Sequence, residues 1–122
     1  MRRTQTLRLR GDTGALAAVL HLPAHPPAPL VIACHGLLSS KDNPKYVELA
    51  GALAAAGLAC ARFDFAGCGE SAGAREETTV ARRVMDLAAV AEALSTHRFV
   101  AGAWGSWGAA SAGSLPSATR RA

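Results

Sequence analysis

Residues 30–71 read LVIACHGLLSSKDNPKYVELAGALAAAGLACARFDFAGCGES, and this stretch decides the fold. Its first five residues are apolar without alternation, as expected for a strand covered on both faces, and they deliver His35-Gly36 into a loop. A helix is then predicted: Asn43 is a good cap, Pro44 suits the first helical position and Gly57 can end it. Tyr46, Leu49, Ala50 and Leu53 fall three or four apart and form one apolar face. Residues 58–65 make a second apolar strand, closing on Asp64 and the turn Gly67-Cys68-Gly69. Strand, helix and strand in that order imply a parallel pair joined by a right-handed crossover.

Upstream, Leu7 and Leu9 alternate with Arg8 and Arg10, the period of a half-buried strand. Gly11-Asp12-Thr13-Gly14 has turn chemistry, so residues 15–22 are expected to return as the second strand of a hairpin. Pro23, Pro26, Pro27 and Pro29 then delay any regular element until Leu30. Downstream, a second helix is predicted from about Thr78, with Val80, Val84, Leu87, Ala88, Ala91 and Leu94 on its apolar face. Glu76 and Glu77 precede it, where negative charge suits the helix dipole. Residues 98–103 fit a further strand. Beyond them, Trp104, Trp107 and GAASAGSLPSATRRA show no apolar period. The expected organisation is one domain over residues 1–103 and an irregular, disordered tail over 104–122.

Composition narrows the function classes. The chain has 122 residues, half of them apolar and 18% charged, which suits one packed domain. Its net charge of +4 arises at the ends, in Arg2, Arg3, Arg8, Arg10, Arg120 and Arg121, and these basic ends are expected to float in solvent. The seven basic and nine acidic residues between them give −2, so no nucleic-acid surface is expected. Cys34, Cys60 and Cys68 are odd in number without a C-x-x-C pair, which favours free thiols in a reducing compartment. The basic start is interrupted by Arg8, Arg10 and Asp12, unlike a secretion signal. No apolar run approaches the roughly 18 residues of a membrane span. The expectation is a soluble, cytoplasmic protein with no membrane partner.

The chemistry begins at His35-Gly36. A loop leaving an apolar strand places backbone N–H groups at the carboxyl edge of a sheet, where open α/β sheets bind ligands. An oxyanion hole needs such donors fixed before charge develops on a carbonyl oxygen, and the N–H of Leu37 is the candidate. Gly67-Cys68-Gly69-Glu70-Ser71-Ala72 also fits a loose dinucleotide fingerprint, but Gly73 and a polar stretch follow where a helix should start. The histidines and cysteines lack metal-ligand spacing. Neither cofactor nor metal is expected. Cys68 is the thiol expected to be most reactive, while Cys34 and Cys60 read as small core residues.

Residues 35–71 resemble the α/β-hydrolase superfamily, and within it the serine aminopeptidase and esterase-like branch. The likeness rests on HG-x-x-S-S-K after one strand and F-D-F-x-G-x-G-x-S after the next, and it continues through Glu76-Glu77-Thr78-Thr79 into Arg82-Arg83 and Asp86-Leu87. Ala66 stands where that family often has arginine. The resemblance covers about residues 6–100. It implies a partial α/β-hydrolase fold: an N-terminal hairpin, then a mostly parallel sheet with flanking helices, truncated after about the fifth strand. It also implies cleavage of a small-molecule ester, amide or thioester by a serine. His35, Gly36, Asp64, Gly67, Gly69 and Ser71 would form the site loops.

The nucleophile should lie on a Gly-x-Ser-x-Gly elbow after the following strand. Ser106 has Gly108 after it but Trp104 before it, and the N–H of Trp107 would be the second oxyanion donor. Ser111 has smaller neighbours but comes late. In this fold an Asp or Glu and then a His follow the serine, yet residues 107–122 contain none of these. Without a base a serine hydroxyl is a poor nucleophile. The expectation is therefore hydrolase ancestry with an inactive chain, as a shifted frame or early stop would produce. A silent fragment or a non-enzymatic binding module is the alternative. An open sheet edge should then favour self-association.

Overall fold

A computed structural model describes residues 3–11, 14–36 and 39–101. Strands β1 (Arg3–Arg10) and β2 (Ala15–Leu22) form the hairpin, antiparallel from Arg3 opposite Leu22 to Arg10 opposite Ala15. β3 (Leu30–Cys34), α1 (Pro44–Ala55) and β4 (Ala59–Phe63) form the crossover unit, with β3 and β4 parallel. β2 pairs antiparallel with β4, so the sheet is mixed and its order is β1-β2-β4-β3. A 3-10 turn at Arg75–Glu77 leads to α2 (Val80–Ser95). Of the further strand expected over residues 98–103, the described part makes a parallel bridge between Ala28 and Val100. Residues 104–122, expected to form the tail, lie outside the described residues.

The helices cover opposite faces of the sheet. Leu16, Leu20 and Leu22 from β2, Ile32 from β3 and Phe63 from β4 share one cluster with Val90, Ala91 and Leu94 of α2. On the other face, Ala33 and Cys60 meet Tyr46 and Ala50 of α1. β4 is buried at all five positions, which is why it reads as an apolar run broken only by Arg62. Each fully buried Leu, Ile or Phe contributes about 1.5–3 kcal/mol. Ala50, Gly51 and Ala54 on the inner side of α1 let its backbone approach the sheet closely. Asn43 caps α1 through Lys45 N–H, with Pro44 in the first turn as the sequence predicts.

α2 departs from its predicted orientation. Val80 and Val84 are 79% and 60% exposed, and Ala88 is also exposed. The buried side is Asp86, Val90, Ala91 and Leu94. An aspartate has turned a helix that hydropathy alone would place otherwise. Asp86 accepts a hydrogen bond from the Ala66 N–H at 2.9 Å and is 2% exposed. A buried N–H left without an acceptor would cost about 1–3 kcal/mol, comparable to burying one valine.

The basic N-terminal end does not float. Arg3, Arg8 and Arg10 lie in β1; Arg8 donates to the Glu70 carbonyl at 3.3 Å, and Arg3 stacks over Phe99 at 5.3 Å. Among the described residues no helix is long and apolar enough to cross a membrane.

Candidate active site

Both motif loops emerge at the carboxyl ends of the parallel pair, His35-Gly36 after β3 and Asp64 to Ser71 after β4. Asp64 is the knot between them and is fully buried. Its Oδ1 accepts the Lys41 N–H at 2.7 Å and its Oδ2 the Glu70 N–H at 2.9 Å. The Lys41 ammonium lies 3.1 Å from Oδ2. One carboxylate thus fixes the far end of the first loop and the tip of the second.

The Lys41 ammonium also reaches Glu70 Oε1 at 2.6 Å and Asp42 Oδ2 at 3.1 Å. Burial alone would lower this amine, but the Glu70, Asp42 and Asp64 carboxylates outweigh it and hold Lys41 above the ordinary lysine range. Asp42, Asp64 and Glu70 are the only group among the described residues with carboxylate oxygens close enough to share an ion. The Lys41 ammonium sits among all three and bonds to each. Arg62, buried within β4, completes the network by donating to the Lys41 carbonyl, Asp42 Oδ1 and His21 Nε2, each at 3.0 Å. Of this network only Asp64 was among the expected site residues; Lys41, Asp42, Arg62 and Glu70 were not. A lone arginine two residues before Asp64 in an otherwise apolar strand is the signal that marks them.

The second loop is closed on itself. The Ser71 hydroxyl donates to the Asp64 carbonyl at 2.6 Å and accepts the Ala17 N–H at 2.8 Å, tying the turn to β2. Gly67 N–H bonds to the Ala72 carbonyl, Cys68 N–H to Phe65, and Ser71 N–H to Cys68. These donors, with that of Glu70, would have to cradle a pyrophosphate in a dinucleotide site, and all are spent internally. A 3-10 turn follows in place of a helix. Gly69 passes so close to Asp64 that a Cβ would fall on the carboxylate. Cys68, of the three thiols the one expected to react most readily but expected more as a spectator than as a nucleophile, is only 6% exposed and packs in the core. Burial pushes the Cys34 and Cys60 thiols up to about 12, so they are protonated at neutral pH.

His35 is a positioned spacer rather than a base. Its Nε2 accepts the Phe65 N–H at 3.2 Å, and Nδ1 donates to the Gly36 carbonyl at 2.7 Å. A backbone N–H can only donate, so Nε2 must be unprotonated and the ring neutral. Burial pushes the imidazole below its ordinary range; the Gly36 carbonyl opposes this and the Arg83 cation adds to it. The unfolded ring therefore takes up a proton more readily than the folded one, and folding stability is lost as pH falls below about 6.5. His35→Gln keeps an acceptor for Phe65 N–H but cannot titrate. Urea unfolding from pH 7.5 to 5 should show a shallower loss for that variant than for the native chain; parallel curves would contradict the assignment.

Above His35, Arg83 of α2 lies 4.2 Å over the Phe65 ring and donates to the His35 carbonyl at 3.0 Å and the Gly36 carbonyl at 3.5 Å. The structure thus brings together six expected site residues: His35, Gly36, Asp64, Gly67, Gly69 and Ser71. Leu37, Ser106, Ser111 and Trp107 lie outside the described residues.

Comparison with known proteins gives this geometry a context. Residues 25–117 match the family described as Serine aminopeptidase, S33. Among solved structures, Est1E from Butyrivibrio proteoclasticus with bound ferulic acid is 26% identical with a TM-score of 0.75; the match covers 86% of this chain and 41% of that one. An α/β serine hydrolase without a lid from Xanthomonas campestris is 29% identical with a TM-score of 0.71, covering 89% of this chain and 50% of that one. An α/β serine hydrolase homologue from Coxiella burnetii is 25% identical with a TM-score of 0.71, covering 88% and 50%. The chain therefore spans half or less of the length of these relatives. No curated protein matches it.

Proposed function

The chain belongs to the Serine aminopeptidase, S33 family, and from that premise we propose that it carries the oxyanion-loop half of an α/β-hydrolase-type serine hydrolase. The bond cleaved would be that of a small-molecule ester, amide or thioester. The observation that carries this reading is the anchored His35-Gly36 turn at the carboxyl end of β3. A peptide unit is planar and trans, so holding a carbonyl also sets the line of the N–H that follows it. In this reading the Leu37 N–H is one oxyanion donor, Ser106 the nucleophile and the Trp107 N–H the second donor. Donors of this kind stabilise a transition state because they need no reorientation when charge appears.

The reaction also needs a base. Residues 107–122 hold no Asp, Glu or His, and the one histidine in the site loops has both ring nitrogens engaged by backbone groups. We infer that these 122 residues do not hydrolyse by themselves. Purified chain is expected to release no nitrophenol from p-nitrophenyl acetate above a Ser106→Ala control and to take no label from a fluorophosphonate. Labelling that disappears in the Ser106→Ala variant would overturn the inactive part of the proposal and establish the nucleophile.

Placement in a reducing cytoplasm is supported by Cys34, Cys60 and Cys68, which are all free and buried. The self-association expected of an open edge concerns the strand expected over residues 98–103, of which residues 102 and 103 lie outside the described residues. At the other edge of the described sheet, β1 presents Arg3, Arg8 and Arg10, charges that disfavour edge-to-edge pairing.

A further inference from the structure

We infer that Arg83 is the positioning residue of the oxyanion loop: its guanidinium grips the His35 and Gly36 carbonyls and so holds the turn at the start of that loop. The inference rests on the oxyanion role given above to that loop. Three observations carry it. First, the two carbonyls are approached by one planar fork, Nη1 to His35 O at 3.0 Å and Nη2 to Gly36 O at 3.5 Å. A guanidinium can span two acceptors in a fixed geometry, whereas an ammonium acts as a point charge. Second, the fork is itself held in place. It lies 4.2 Å over Phe65, whose N–H is bonded to His35 and whose ring meets the His35 ring edge-on at 5.1 Å. Arg83, Phe65 and His35 thus form a closed set in which moving one member displaces the loop.

Third, the arrangement is not one that stability alone would select. Arg83 Nε is buried and has no hydrogen-bond partner among the described residues. An unspent buried donor is a cost, and such costs are retained where a site needs the geometry. The Gly36 carbonyl shows what that geometry achieves. It accepts from both His35 Nδ1 and Arg83 Nη2, so its peptide plane is held from two directions. Gly36 itself would not hold this turn by packing, because a Cβ built there meets nothing within 4 Å. The constraint comes through its carbonyl.

The test is amide hydrogen exchange, which needs no turnover and so stays informative whether or not the chain ever labels with a fluorophosphonate. Arg83→Met removes fork and charge; Arg83→Lys keeps the charge and removes the fork. In both, the amide of Phe65, whose N–H is bonded to His35, is expected to exchange about tenfold faster or more, while those of β3 and β4 stay within about twofold of the native chain, the pattern of local opening. Should Arg83→Met fail to fold, Arg83→Lys decides. Native-like exchange at Phe65 in Arg83→Lys would overturn the inference, because a point charge would then suffice. Equal acceleration in the loop and in the strands would also overturn it, because Arg83 would then be a general stabiliser.

Discussion

Replacing Asp64 with alanine is expected to lower the free energy of unfolding by about 3–5 kcal/mol, the typical cost of stranding a buried partner charge. A small domain has only about 5–15 kcal/mol in total, so the variant should lie near its unfolding limit. The carboxylate is fully buried, and its removal orphans two backbone donors, Lys41 N–H and Glu70 N–H, and takes from the Lys41 ammonium, itself 2% exposed, the one buried carboxylate among its three partners. Lys41→Met should cost less. Both N–H groups would still face the carboxylate, and what is lost is a cation whose desolvation already offsets part of its attraction. Urea unfolding at pH 7 measures the difference. If the two variants lost equal stability, the ion pair and not the backbone anchoring would be the dominant function of Asp64. The pH dependence gives an independent check. Lys41 is held above the lysine value of 10.5, so its contribution is fully present below that pH and is lost only as pH rises through the higher folded value. The gap between native chain and Lys41→Met should therefore stay constant from pH 7 to about 10 and close above it.

The parts of this fold that follow from hydropathy period and turn chemistry were legible in the sequence. The hairpin, the β3–α1–β4 unit and the α1 cap lie where residues 3–63 place them, because each is decided by apolar spacing or by Gly, Pro and Asn at fixed offsets. The charged interior was not legible, and one physical reason covers its residues. Hydropathy assigns every charge to the surface, whereas Lys41, Arg62, Asp64 and Asp86 are all buried because each neutralises another or serves a backbone group that the loops leave unpaired. Asp86 shows how one such need propagates: satisfying Ala66 N–H turns α2, exposes Val80 and Val84, and brings Arg83 over Phe65. The motif residues Asp64, Gly67, Gly69 and Ser71 were recognisable as a site loop. Their service to the loop's architecture, with the N–H groups of Gly67, Cys68, Glu70 and Ser71 all bonded within the protein, required the hydrogen bonds themselves.

Gly69→Ala is expected to be the most damaging of a graded series of glycine-to-alanine changes. Gly57 supplies the reference: it has φ +98° and no atom within 4 Å of a Cβ, so alanine there meets only the left-handed backbone penalty, about 1 kcal/mol. Gly69 has φ +49° and adds a collision, because its Cβ would land on Oδ2, Cγ and Oδ1 of Asp64. That carboxylate cannot swing aside without releasing Lys41 N–H, Glu70 N–H and the Lys41 ammonium together. The cost should therefore approach that of losing Asp64, about 3 kcal/mol or more. Gly67 belongs between them, since its Cβ would meet the Ala74 carbonyl oxygen at 2.6 Å in a connection free to give on its exposed side. Gly36→Ala should be close to neutral, with open space around its Cβ and no positive φ. Unfolding midpoints of the four variants at one pH give the order directly. If Gly69→Ala lost no more stability than Gly57→Ala, Asp64 would be free to move, and the rigid knot between the two site loops would not exist.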